Sequence, residues 1–194
     1  QVQARISRTY VSHKRPMITP QLGYGFRYEA EGEEDWKSPG TDLPGFAAAR
    51  TEALPAEFHP RPIRRLQLGT LLRGTAVQQG TFCEDGYPTA GERMQRAALR
   101  YAPPEEMISR EADGALHFHG GRDDGIYIIF DVGKEEADFV SLDFSVSEPC
   151  EVEIGYGEHL EDGRVRTHIG PRSFAVEYRA KAGENKYVNY FRRL

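Results

Sequence analysis

The stretch Gly155–Gly183, GYGEHLEDGRVRTHIGPRSFAVEYRAKAG, holds Glu158, His159, Glu161, Asp162, His168 and Glu177 in a short span. Carboxylates and imidazoles grouped in this way are the usual material of general acid–base catalysis. A glycosidase needs two carboxyl groups facing each other across a sugar, roughly 5 to 10 Å apart. Glu158 and Asp162 flank an expected turn and could meet that spacing by accident, and with 30 acidic residues in the chain such accidents are cheap. Nothing in the sequence sets a buried acid against an aromatic ring, the arrangement that raises a general acid's pKa. A Ser-His-Asp triad lacks a G-x-S-x-G elbow and the alternation of strands and helices that carries one. GYGEHL is followed neither by a helix nor by a Lys-Ser/Thr pair, so it is no phosphate loop. No catalytic residue is expected.

The best metal-like spacing is His117-Phe118-His119. On a strand both imidazoles would share one face, as a zinc pair requires. No carboxylate or third histidine follows at an obvious ligand spacing, and GALHFHGGRDDG reads as a short hairpin arm with exposed histidines. GRDDG (Gly121–Gly125) lacks the ladder of acids and the terminal Glu of a calcium loop. The expectation is no metal and no cofactor. Sugar-binding sandwiches stack aromatic side chains on pyranose faces, which makes Trp36, Tyr24, Tyr28, Tyr156 and Tyr178 candidates. Alternating aromatics in strands are more often core or cross-strand pairs. Trp36, in the polar loop GEEDWKSPG, and Tyr156 are retained as the carbohydrate-binding candidates.

The elements that position these residues are strands. Period-2 alternation, punctuated by 20 Gly and 12 Pro, marks half-buried strands of antiparallel sheets. Strands are expected over Val2–Val11, Leu22–Ala30, Gly74–Phe82, Gly125–Val132, Asp138–Val146, Cys150–Gly157, Ser173–Ala180 and Lys186–Phe191. GKEEAD, SEP, EDG and KAGEN read as turns between them. Gly91–Tyr101, GERMQRAALRY, alone has helical spacing. The fold class is therefore all-β, an antiparallel β-sandwich or jelly roll, with part of a preceding β-sandwich and at most one short helix. The expected division is 1–60, the C-terminal part of a first sandwich plus connector, and 61–194, a second sandwich with a loop-rich stretch at 83–124. FHPRPIRRL (Phe58–Leu66) reads as an extended connector, its prolines fixing φ.

Among the 194 residues, 25 basic and 30 acidic side chains give a net charge of −5 with the signs interspersed, unlike the basic stripe of a nucleic-acid binder. The longest apolar run, IYIIF, is far below the roughly 20 residues of a membrane-spanning helix. Nucleic acid and membrane are not expected partners, and the cell compartment stays open. Cys83 and Cys150 are expected to be buried thiols rather than a disulfide, because a chain this long needs no staple. The chain opens on QVQARISRTYV and closes on NKYVNYFRRL, both strand-like; each end is expected to be a cut in a longer polypeptide.

IYIIFDVGKEEADFVSLDFSV followed by EVEIGYGEHLEDGRV resembles the β-sandwich region ahead of the catalytic domain in bacterial α-L-rhamnosidases and their relatives. The carriers are Asp131-Val132-Gly133 at a strand end, the alternating strand Phe139–Val146, Tyr156-Gly157-Glu158 at the next strand end, and the Asp162-Gly163 turn. YVNYFRRL is similar to that family's aromatic-rich strand. DWKSPGTDLPGF with FHPRPIRRL is similar to its tryptophan-lysine stretch and Pro-Arg-Pro connector, and ITPQLGYGFRYEA to the end of its first sandwich. The resemblance touches most of the chain as an ordered set of short motifs. It implies an inverting glycoside hydrolase whose acid and base sit on an (α/α) barrel outside this chain, with a rhamnose-containing glycan as a possible ligand. Glu158, at a strand end, is the residue expected to face that neighbouring domain. The resemblance carries no catalytic residue onto this sequence.

Overall fold

A computed structural model describes residues 2–12, 15–36, 38, 40, 44–50, 52–53, 57, 59–60, 62–64, 67, 69–110, 116–119, 125–137 and 139–188. The fold is all-β, sandwich-like and without a closed barrel. The first strands are β1 (Gln3–Ala4), β2 (Tyr10–Val11), β3 (Met17–Thr19), β4 (Gly23–Tyr24), β5 (Arg27–Glu29) and β6 (Ala47–Ala48). The middle of the chain forms β7 (Thr75–Cys83), helix α1 (Ala90–Arg96), β8 (Ala98–Tyr101), the single helical turn α2 (Pro104–Met107), β9 (Ile108–Arg110), β10 (Leu116–Phe118) and β11 (Gly125–Asp131). Then come β12 (Ser141–Val146), β13 (Cys150–Gly155), β14 (Leu160–Glu161), β15 (Arg164–Val165), β16 (His168–Ile169), β17 (Arg172–Ser173), β18 (Ala175–Ala180) and β19 (Gly183–Val188).

The principal sheet has the order β13-β18-β5-β2. Its register puts Val152, Tyr178, Tyr28 and Tyr10 in one row across four strands. Because side chains alternate along a strand, this row and its neighbours form the apolar face. Strands β12 and β19 pair with each other and supply the second layer. Tyr187 of β19 packs on Tyr28 and Tyr178 with ring centroids 4.8 and 5.1 Å apart, and Phe144 of β12 meets Tyr178 at 5.6 Å. Phe26, Ala30, Val176 and Ala180 complete the core. Tyr178 is 1% exposed, and truncating so buried an aromatic costs about 3–5 kcal/mol. Burial also pushes the Tyr178 hydroxyl up to about 12, with Glu33 adding to the rise.

The turn from β18 to β19 is organised by Asn185, which is fully buried. Its Oδ1 accepts from the Tyr178 hydroxyl at 3.1 Å and the Lys181 N–H at 3.2 Å. Its Nδ2 donates to the carbonyls of Lys181 and Gly183 at 2.8 and 2.9 Å. All four bonds of a buried amide are thereby made.

Several expectations are revised. Val2–Val11 is two short strands, because Ser7 Oγ accepts from the Thr9 and Tyr10 N–H groups and turns the chain between them. Leu22–Ala30 is interrupted where Gly25 donates its N–H to the Pro16 carbonyl at 2.9 Å. The helix expected to reach Tyr101 stops at Arg96. Ala97 leaves helical geometry with ψ 138°, and Ala98–Tyr101 pair antiparallel with Gly80–Cys83 of β7. Tertiary pairing here overrides local helix propensity. The described residues of 83–124 include β8, β9 and β10 as well as α1 and α2. The principal sheet crosses the division expected at residue 60, since β2 and β5 join β18 and β13. The β5–β18 pairing is parallel, so the sheet is not purely antiparallel; the long link between Glu29 and Ala175 gives it the crossover that parallel strands need. Residues 121–124, Asp138 and everything past Val188, including Arg192 and Arg193, lie outside the described residues, as do Phe58, Arg61, Arg65 and Leu66 of the connector. Its described residues, 59–60 and 62–64, form no strand or helix.

Candidate functional site

The face of the principal sheet opposite the aromatic row is charged. Glu153 of β13 stands across from Glu177 of β18, and Glu177 across from Arg27 of β5; one row along, Glu151, Arg179 and Glu29 are in register. Like charges directly opposed on neighbouring strands destabilise a sheet. A cation laid over the pair removes that penalty. Helix α1 packs on this face and supplies Arg93, whose Nε donates to Glu153 Oε1 at 2.7 Å. One terminal nitrogen pairs with the same oxygen and reaches Glu177 Oε1 at 3.3 Å. The other donates to the Tyr87 carbonyl at 3.1 Å. Arg15 pairs with the remaining Glu177 oxygen. The four side chains are only 16–20% exposed.

Burial pushes the Glu153 carboxyl above its ordinary value, against the pull of the Arg93 hydrogen bond and charge. Desolvation works to lower the Arg93 guanidinium, but the bonds and charges of Glu153 and Glu177 hold it above its usual range. On the outer row, a hydrogen bond from Arg179 holds the Glu151 carboxyl below the usual carboxylate range. Two neighbouring carboxyls in different environments are what a glycosidase uses. Here, however, the cavity beside Glu177 measures about 10 Å³ and is lined by Arg15, Pro16, Phe26, Ala90, Ser173 and Ala175 among others. That is room for about one water, and a sugar ring cannot enter. The arrangement is a clamp that fastens α1 to the sheet.

The hairpins carrying the acids and histidines of Gly155–Gly183 grip the same helix. Gly91 of α1 donates its N–H to Ser173 Oγ at 3.2 Å, and its carbonyl accepts from Thr167 Oγ1 at 2.8 Å. A Cβ at Gly91 would lie 2.5 Å from the Thr167 carbonyl oxygen, so only glycine fits this approach. Thr89 caps α1 by accepting the Glu92 N–H at 3.2 Å. Arg164 donates twice to the Ala97 carbonyl at the other end, at 3.2 and 2.8 Å. His168 Nε2 stands 3.7 Å from the Glu92 carboxylate. Asp162 and Gly163 have φ of 50° and 71° and join β14 to β15 as the two-residue turn that hairpins favour. Asp131-Val132-Gly133 is also a turn, Gly133 donating its N–H to Asp131 Oδ1 at 2.7 Å.

The candidate residues read from sequence are dispersed. Trp36 is 61% exposed, its N–H bonded to the Glu34 carbonyl at 2.9 Å. Tyr156 is half-buried at the end of β13, edge-on to Phe174 at 6.0 Å and packed against the core. Tyr24 is exposed, whereas Tyr28 and Tyr178 belong to the core. Glu158 is exposed in the bend after β13. His117 on β10 and His119 just after it are both exposed, their rings 6.0 Å apart. Among the described residues no three His, Cys, Asp or Glu side chains gather as a metal group. Cys83 and Cys150 are thiols, but exposed rather than buried, because they sit at outer strand ends. Arg15, Arg93 and Glu153 were not singled out by sequence reasoning. The available signal was the alternation of charge in CEVEIG and AVEYRA, which places two acids on the face away from the apolar residues.

Comparison with protein-family models, with curated proteins and with solved structures finds no match for this chain. Among the described residues no helix is long and apolar enough to cross a membrane.

Proposed function

We propose that this chain is a non-catalytic β-sandwich region of a rhamnosidase-like inverting glycoside hydrolase, serving to support a catalytic (α/α) barrel of the same parent polypeptide. The observation that carries the supporting role is the exposure of three apolar side chains at one end of the sheet β11-β7-β8. Val77, Phe130 and Val132 are 52%, 51% and 49% exposed. Val77 and Val132 line an open groove of about 340 Å³ with Arg73, Thr75, Asp131 and Gly133. Exposed apolar side chains beside an open groove suit a surface that another domain covers. The clamp adds to the reading, because its carboxylates hold a helix. The rhamnosidase-like assignment rests on the ordered motifs, two of which form the Asp131–Gly133 and Asp162–Gly163 turns. The test is hydrolysis of an aryl α-L-rhamnoside by the purified chain: no turnover is expected, and clear turnover would overturn the reading.

A second reading, a carbohydrate-binding module, is favoured by Trp36, whose large ring lies open to solvent. Tyr156 suits it less, since its ring already packs against Phe174. Calorimetry against rhamnose and rhamnose-containing oligosaccharides decides. A saturable heat lost in Trp36→Ala supports this reading, and no heat at millimolar sugar removes it.

A further inference from the structure

We propose that the free edge of β12 pairs with β12 of a second copy of this chain, making one continuous sheet of order β19-β12-β12-β19 across a two-fold axis. The inference is independent of the rhamnosidase-like reading and of the groove at Val77. It rests on an unfinished side of the sandwich. The principal sheet has four strands, whereas the layer packed on it has two, and among the described residues β12 is paired along one edge only. Tyr187 of β19 touches both Tyr28 and Tyr178, and Phe144 of β12 touches Tyr178, so β12 lies toward β13, the outermost strand of the principal sheet. Burial is lopsided in the same sense. The inward residues of β19, Asn185 and Tyr187, are 0% and 2% exposed. Those of β12, Leu142, Phe144 and Val146, are only half-buried, as are Val152 and Ile154 of β13. The core is open along the side where β12 and β13 end their sheets.

The edge is also unguarded, and its sequence complements itself. Free edges of soluble proteins are commonly protected by lysine, proline or a bulge. Strand β12, SLDFSV, has none of these, and its register with β19 runs unbroken from Ser141 opposite Val188 to Val146 opposite Gly183. Directly opposed residues share a face, so only a register that sets apolar against apolar keeps both cores intact. Two antiparallel registers of β12 with itself do so over most of the strand. One centres on Asp143 and opposes two aspartates, which destabilises a sheet. The other centres on Phe144. It sets Phe144 against its symmetry mate, Leu142 against Val146 and Asp143 against Ser145, with no like charges opposed. The two-fold axis makes each off-axis contact twice, as isologous dimers do. The added strands complete a layer of four and lay a second set of apolar side chains along the open side of each core.

The experiment is sedimentation velocity on the purified chain over a concentration series, with thermal melting of each variant as a check on folding. A monomer–dimer equilibrium is expected. Ser145 is exposed, so changing it leaves the core untouched. Ser145→Asp sets like charges against Asp143 twice per dimer and should weaken association about tenfold or more. Ser145→Lys sets an opposite charge at the same two places and should not weaken it. A chain that stays monomeric up to millimolar concentration, or a dimer that Ser145→Asp leaves unchanged, would overturn the proposal. So would an equal loss in both variants, since it would remove Asp143 from the position opposite Ser145.

Discussion

Glu153 and Glu177 stand directly across from each other on β13 and β18, and one guanidinium, that of Arg93, bonds to both. Three of the pair's four carboxylate oxygens are engaged by Arg93 and Arg15, and the cavity beside Glu177 has room for about one water. The pair's role in this chain is to hold α1 on the sheet.

Burial holds the Glu153 carboxyl above 4.5, so the folded chain binds that proton more tightly than the unfolded chain does. Its contribution to stability is fullest below 4.5 and declines as the pH rises through the raised value. Glu151 has the opposite sign: Arg179 holds it below 4.5, so its contribution is present above 4.5 and lost as the pH falls. Urea unfolding should show wild-type stability declining relative to Glu153→Gln as the pH rises above 4.5, and falling relative to Glu151→Gln as the pH drops below 4.5. The same trend for both variants would contradict these assignments.

Asn185→Ala should lower the unfolding free energy by about 3 kcal/mol, because it strips partners from the buried Tyr178 hydroxyl and from the Lys181 and Gly183 backbone. A loss below about 0.5 kcal/mol, the scale of an ordinary surface change, would mean that the turn does not depend on it.

Gly91→Ala replaces a poor helix former with the best one, yet the added methyl would meet the Thr167 carbonyl at 2.5 Å and Ser173 Oγ at 2.7 Å. Overpacking should prevail and cost about 1–3 kcal/mol. Thermal melting that rose instead would show that α1 is not seated on the β16–β17 hairpin.

Much of the architecture is legible in the residues themselves. The alternation in CEVEIG, AVEYRA and SLDFSV marks real strands, and the Asp162-Gly163 pair announces its turn because both residues take positive φ. The end of the helix is not legible, since Ala98–Tyr101 is diverted by pairing with a strand fifteen or more residues earlier. The clamp is hidden for the same reason. Its acids are visible as an alternating pattern, but their opposition depends on cross-strand register. Their cations arrive from 84 and 162 residues away, distances over which local pattern carries no information. The acids and histidines of Gly155–Gly183 drew attention as chemistry, and several of them serve packing instead: Glu177 in the clamp, His168 beside the Glu92 of α1.

Trp36→Ala removes a ring that is 61% exposed, so its melting temperature should match wild type within the effect of a surface substitution, about 0.5 kcal/mol. A large loss would place the ring in a packing role and remove the observation behind sugar binding.

The central claim is that the acids of the β13–β18 face fasten α1 rather than catalyse. The most direct measurement is a double-mutant cycle on unfolding free energy with Arg93→Met, Glu153→Gln and the combined variant. The clamp predicts a favourable coupling of about 1–3 kcal/mol between the two side chains. Effects that add within about 0.5 kcal/mol would contradict it.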